Sequence, residues 1–134
     1  MKIALLLALA LTISISSRAQ TATTLSPQQI EAFKALKVRT EKTSAPYAAK
    51  LAITVKKIYA NMLSPHENQA LRKRLGAQLH LYTGKLLDIR GQSYRDELHI
   101  LTSEQRQTVR ENLAKPGAPI DIGEVIEKTF GLAK

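Results

Sequence analysis

Few residues in this chain are of a type that does chemistry, and their spacing limits what they could do. There are three histidines, His66, His80 and His99, and no two of them stand three or four residues apart. Asp96 and His99 are at i and i+3, so on a helix they share a face and could offer two metal ligands. Zinc takes at least three ligands from protein, and the chain has no cysteine to add a thiolate. Asp96 and Glu97 are adjacent, so on a helix they point apart and do not form an acid/base pair. No glycine-rich phosphate loop, nucleophile elbow or metalloprotease motif is present. The expectation is therefore a protein that is not an enzyme, with no catalytic residue, no metal site and no cofactor.

The chemistry on offer is charge. Lys plus Arg is 20 and Asp plus Glu is 11, a formal +9 over 134 residues. From Lys34 to Arg74 there are ten basic residues against Glu41 and Glu67, while from Leu75 to Lys134 there are eight of each sign. A local +8 exceeds what solubility needs and should attract anionic partners: acidic segments of unfolded proteins, lipid head groups or polyanions. The candidate charged contacts are Lys34, Lys37, Lys50, Lys56, Lys57, Arg72, Lys73 and Arg74. Tyr47, Ile53 and Met62 are candidate apolar contacts, Ile53 foremost because it lies off the apolar stripe of its helix. Tyr47 and Tyr59 could stack on bases, but both also fit a helical core. Export of the chain argues further against a nucleic-acid partner.

That export is read from the first nineteen residues. Met1-Lys2 is charged, Ile3 to Ile13 is apolar apart from Thr12, and Ser14 to Ala19 is rich in small residues. This is the layout of a secretory signal peptide, with cleavage after Ala19. Eleven helical residues rise about 16 Å, too little for about 30 Å of hydrocarbon. The expected mature chain, Gln20 to Lys134, is one exported domain with no stable membrane insertion.

The elements that must position the charges are all helical, since no strict alternation of strand length occurs. The expected fold is all-α, four main helices plus a short C-terminal one. Helix one starts at Ser26, with Pro27 in first position and Gln29 three residues after the cap, and runs to about Lys42. Pro46 marks a break. Helix two runs from Pro46 to Met62 on a stripe of Ala48, Leu51, Ala52, Val55, Ile58, Tyr59 and Met62. Helix three starts at Ser64, carries Leu71, Leu75, Leu79, Tyr82, Leu86 and Ile89, and reaches about His99, with Gly91 its expected kink or break. Helix four spans Thr102 to about Ala114. After the Lys115–Pro119 turn, a short helix begins at Asp121 and ends at Gly131. Leu25, Leu63 and Leu101 each precede a capping box at intervals of 38 residues, a spacing compatible with a weak repeat or with chance.

Two of those helix starts share a motif. Leu101-Thr102-Ser103-Glu104-Gln105 reads Leu-Thr-x-x-Gln, and Leu25-Ser26-Pro27-Gln28-Gln29 reads the same with Ser for Thr. Physically each is a leucine before a Ser/Thr-to-Gln capping box. Two such motifs about 75 residues apart, in a small exported helical chain, resemble the Spy/CpxP-like (LTxxQ motif) family of periplasmic helical proteins. The resemblance covers residues 25–115 and leaves 116–134 as a C-terminal extension. It implies a non-enzymatic helical-hairpin cradle that forms a homodimer. It assigns structural roles to Leu25, Ser26, Gln29, Leu101, Thr102 and Gln105. The functions it implies are an ATP-independent chaperone that holds unfolded proteins, an accessory inhibitor docked on the acidic domain of an envelope-stress sensor kinase, or a metal-responsive protein. The His-rich tails of the last group are missing. An exported helical domain of some other interaction function is the remaining alternative.

Overall fold

A computed structural model describes residues 22–132. The proposed signal segment, residues 1–19, lies outside them. Among the described residues there is no strand, and four helices follow one another: α1 Pro27–Met62, α2 Gln69–Ile100, α3 Ser103–Leu113 and α4 Ile122–Phe130. No helix among them is long and apolar enough to cross a membrane. The described chain divides into two compact units, one of residues 22–33 with 96–132 and one of residues 34–95.

Among the described residues from Pro27 onward the helices number four rather than five, because Pro46 does not break the chain. It sits inside α1, which runs unbroken from Pro27 to Met62. Proline removes the N–H that would bond the carbonyl four residues back, at Lys42. Lys42 and Pro46 are both exposed, so water can hydrate that carbonyl. Good helix formers on both sides (Ala35 to Lys37, Ala48 to Ala52) carry the helix through. The proline still opposes it. Pro46→Ala is expected to stabilise the fold by about 2 kcal/mol, the helix-interior penalty less the unfolded-chain entropy that proline removes. A rise in the urea midpoint at unchanged slope would show this.

The unit of residues 34–95 is an antiparallel hairpin. Thr40 Oγ1 donates to Ser93 Oγ at 3.1 Å. Lys50 Nζ lies 5.8 Å from the Tyr47 ring and 5.9 Å from the Tyr82 ring, joining the two helices midway. At the closed end Asn61, which is buried, clasps the backbone of Asn68. Its Nδ2 donates to the Asn68 carbonyl at 3.1 Å, and its Oδ1 accepts the Asn68 N–H at 3.0 Å. Asn68 Oδ1 in turn caps α2 by accepting from the Leu71 N–H at 2.9 Å. So α2 starts after Asn68, not at Ser64, and Ser64 and Pro65 belong to the loop. A helix ending at Met62 and another starting at Ser64 would leave nothing with which to reverse direction. The middle member of the 38-residue series is therefore no helix start. Gly91 does not end α2, which continues to Ile100.

The interface within this hairpin is thin. Leu36, Thr54, Asn61, Leu75 and Ser93 are buried. Leu51, Val55 and Ile58 are half-buried, whereas Ala48, Ala52, Tyr59 and Met62, expected on the same stripe, are exposed. The stripe is rotated because Thr54 and Asn61 occupy its centre. Thr54 can do so because its hydroxyl donates to the Lys50 carbonyl at 2.9 Å.

The other unit holds the main apolar core: Leu101, Val109, Val125 and Ile126, with Leu25, Phe33, Leu98, Ile122 and Phe130 packed against them. Half of the four buried residues come from α4. The segment after Pro116 is thus part of the core and no appendage. α4 begins at Asp121, whose Oδ1 accepts the Glu124 N–H at 3.1 Å, and ends at Gly131 with φ +67°, a left-handed cap that suits glycine. Asn112 Nδ2 donates to Thr129 Oγ1 at 2.9 Å and ties α3 to α4. Ile126→Ala should cost about 2–4 kcal/mol through the cavity it leaves. Chemical unfolding of that variant would measure it.

Candidate functional site

The two motifs meet in the unit of residues 22–33 and 96–132. At the first, Gln29 N–H donates to Ser26 Oγ at 3.2 Å and Ser26 N–H donates to Gln29 Oε1 at 2.9 Å. At the second, Gln105 N–H donates to Thr102 Oγ1 at 3.2 Å and Thr102 N–H to Gln105 Oε1 at 2.9 Å. Each is a complete capping box. The two glutamine amides then pair. Gln29 Nε2 donates to Gln105 Oε1 at 2.7 Å, and Gln105 Nε2 donates to Gln29 Oε1 at 3.2 Å. The second proton of each amide goes to a carbonyl two residues before the opposite cap: Gln29 to Ile100 at 2.8 Å, Gln105 to Thr24 at 2.8 Å.

This arrangement explains why the third position after each cap is Gln and not Glu. Glutamate could complete the box as an acceptor, but it has no N–H for the facing amide or the facing carbonyl. Leu25 and Leu101, the residues before the caps, pack in the adjoining core. Arg106, next to Gln105, donates to the Leu98 and Leu101 carbonyls at 3.2 Å each, adding a cation at the C-terminal end of α2. All six motif residues therefore hold the chain's path, and they present no open chemistry.

The candidate interaction surface lies in the other unit. Lys34, Lys37, Lys50, Lys56, Lys57, Arg72, Lys73 and Arg74 are all exposed and all fall within residues 34–95. That stretch holds thirteen cations against Glu41, Glu67 and Asp88, a net +10. The cations do not form one compact patch. Lys34 and Lys57 are about 35 Å apart along α1 at a helical rise of 1.5 Å per residue. The hairpin reversal brings only Lys56 and Lys57 to the same end as Arg72, Lys73 and Arg74. Glu67 pairs with Arg72 at 3.6 Å, a partly exposed contact worth little.

Among the apolar candidates, Ile53 and Met62 are exposed, and Tyr47 is half-buried beside Lys50. Sequence reasoning missed Val38, Tyr59, Leu63, Leu81 and Leu87, which are exposed as well. A signal for Val38 and Tyr59 existed. Ala35, Val38, Ala45, Ala49, Ala52 and Tyr59 follow a three-four spacing along α1, and every one is exposed. This second apolar face, opposite Thr54 and Asn61, has no cover within the hairpin. Among the described residues no group of three His, Asp or Glu comes together that could hold a metal ion.

Fold and surface together describe a class: an all-helical chain with a basic, apolar-studded hairpin and a separate amide-locked core. No protein-family model, curated protein or solved structure matches the chain.

Proposed function

We propose that this protein is an exported, ATP-independent chaperone that holds unfolded proteins on the hairpin of residues 34–95. One observation carries the reading: a surface of net +10 on which large apolar side chains, Val38, Ile53, Tyr59, Leu81 and Leu87, stand exposed. The field draws in acidic stretches of unfolded chains over long range. The scattered apolar side chains then hold exposed hydrophobic segments weakly and with little sequence preference. Release follows client folding, because folding hides those segments.

The periplasm is the proposed compartment, on the strength of the signal-peptide layout of residues 1–19. A homodimer belongs to the same reading.

The test is aggregation of two unrelated, chemically unfolded proteins with and without the chain from Gln20 to Lys134, in the absence of ATP. Suppression of both at near-stoichiometric amounts is the expected result. No suppression at several-fold excess would overturn the proposal. The docking module for one acidic sensor domain would then be the surviving reading, to be sought by pull-down from envelope extract.

A further inference from the structure

The closed end of the hairpin carries a surface of a different kind. Tyr59, Met62 and Leu63 are 59%, 61% and 85% exposed. The Leu63 N–H donates to the Tyr59 carbonyl at 3.0 Å, so the last turn of α1 extends to Leu63. Lys56, Tyr59 and Leu63, at i, i+3 and i+7, share one side of that turn. Ile58 and Asn61 take the opposite side, toward α2. Every residue of the loop 63–68 is exposed, and the clasp between Asn61 and Asn68 holds it in place. The apolar groups thus stand on a convex, fixed tip.

Five exposed cations surround them: Lys56 and Lys57 from α1, Arg72, Lys73 and Arg74 from α2. Glu67 is the single carboxylate between residues 56 and 74. Among the described residues no carboxylate pairs with Lys56, Lys57, Lys73 or Arg74. The three cations of α2 sit near the N-terminal end of their helix, whose first turn has no acidic residue. The peptide dipole there is positive, so this placement works against the helix. Stability of the fold does not account for it, whereas an anionic surface outside the molecule would.

We propose that the hairpin tip is a peripheral docking point for anionic phospholipid bilayers. Met62 and Leu63 enter the boundary between head groups and acyl chains, Tyr59 lies at head-group level, and the five cations meet lipid phosphates. The convexity favours a bilayer over a folded protein. Lipid closes around a protruding apolar wedge, whereas a folded partner must offer a matching pocket. Docking is peripheral, since no described helix is long and apolar enough to span. The inference goes beyond the chaperone reading: the two share Tyr59 and the five cations, and the tip adds Met62 and Leu63, on which that reading does not rest.

The chain contains no tryptophan, so Leu63→Trp installs a single reporter at the tip. The experiment is flotation of the chain from Gln20 to Lys134 with phosphatidylcholine vesicles, with and without phosphatidylglycerol, alongside Trp emission of the variant. Expected are co-flotation and a blue shift with phosphatidylglycerol vesicles only. Met62→Ser with Leu63→Ser should weaken partition about tenfold, and Lys73→Glu with Arg74→Glu at least as much. All four positions are exposed, so circular dichroism should be unchanged.

No phosphatidylglycerol-dependent flotation would overturn the proposal. So would flotation without a blue shift and without any effect of the Met62/Leu63 pair, which would show diffuse charge attraction alone. A Met62/Leu63 variant that loses aggregation suppression yet keeps vesicle binding would assign the tip to polypeptide clients and also overturn it. Vesicle binding by a chain that suppresses no aggregation would uphold the tip and sink the chaperone reading, so the two fail separately.

Discussion

Gln105→Glu is expected to lower the thermal midpoint by about 10–20 °C, the equivalent of roughly 3 kcal/mol in a domain of this size. Gln105 is 1% exposed, and its side chain makes at least four hydrogen bonds. A carboxylate keeps the two it accepts, from Thr102 N–H and Gln29 Nε2. It loses the two it donates, and it sets an oxygen against the Thr24 carbonyl and Gln29 Oε1. It also takes a charge out of water, which burial penalises.

The deficit should depend on pH. Burial raises the folded-state pKa of the introduced Glu above its unfolded value of about 4.3. The folded state then binds the proton more tightly. Relative to the parent, the variant is least impaired below that value and loses stability as pH rises through it. Gln29→Glu lies at a half-buried position and should cost less. A double-mutant cycle of Gln29→Ala and Gln105→Ala should give a coupling of about 1–2 kcal/mol. Additive effects within error would show that the amide pair contributes nothing as a pair.

Charge reversal on the hairpin is the second large effect. Lys37→Glu, Lys56→Glu, Lys57→Glu and Lys73→Glu together bring the stretch 34–95 from +10 to +2. All four side chains are exposed, so the helix content should hold. If long-range attraction delivers clients, the capture rate should fall about tenfold or more at low salt. The gap should close near 1 M salt, where the screening length is about 3 Å. A rate unchanged at low salt would remove electrostatic capture from the mechanism and leave the exposed apolar side chains as the whole of it. Stopped-flow capture of a fluorescent unfolded protein reads both arms.

The local devices were legible because each is written in neighbouring residues. The capping boxes at Ser26–Gln29 and Thr102–Gln105 follow from the preference of a helix start for a hydroxyl and an amide three residues on. The same holds for Asp121 and Gly131 at the ends of α4, and for the all-helical class. The leucine stripe of α2 came through because period 3.6 places those residues on one side wherever the helix goes.

What the tertiary structure decided lies in partners distant in sequence. Proline's local penalty predicts a break at Pro46, but favourable residues over the whole of α1 outweigh one lost hydrogen bond. Ser64-Pro65 reads as a better helix start than Asn68, yet Asn61 engages the backbone of Asn68 and moves the start there. Tyr59 looks like core by period alone. Which of two apolar faces is covered depends on where α2 packs, and Thr54 and Asn61 take the inner one by satisfying their own polar groups. Each Gln of the two motifs is locally a cap. Only the fold shows that each also completes the other across about 75 residues of chain. Sequence alone thus determined the helical class, the helix ends capped at Ser26, Thr102, Asp121 and Gly131, and the total charge, all properties of residues within a few positions of one another or of composition. Packing decided which faces are covered, where the chain reverses and which cations share an end of the hairpin, because those depend on contacts that no local window contains.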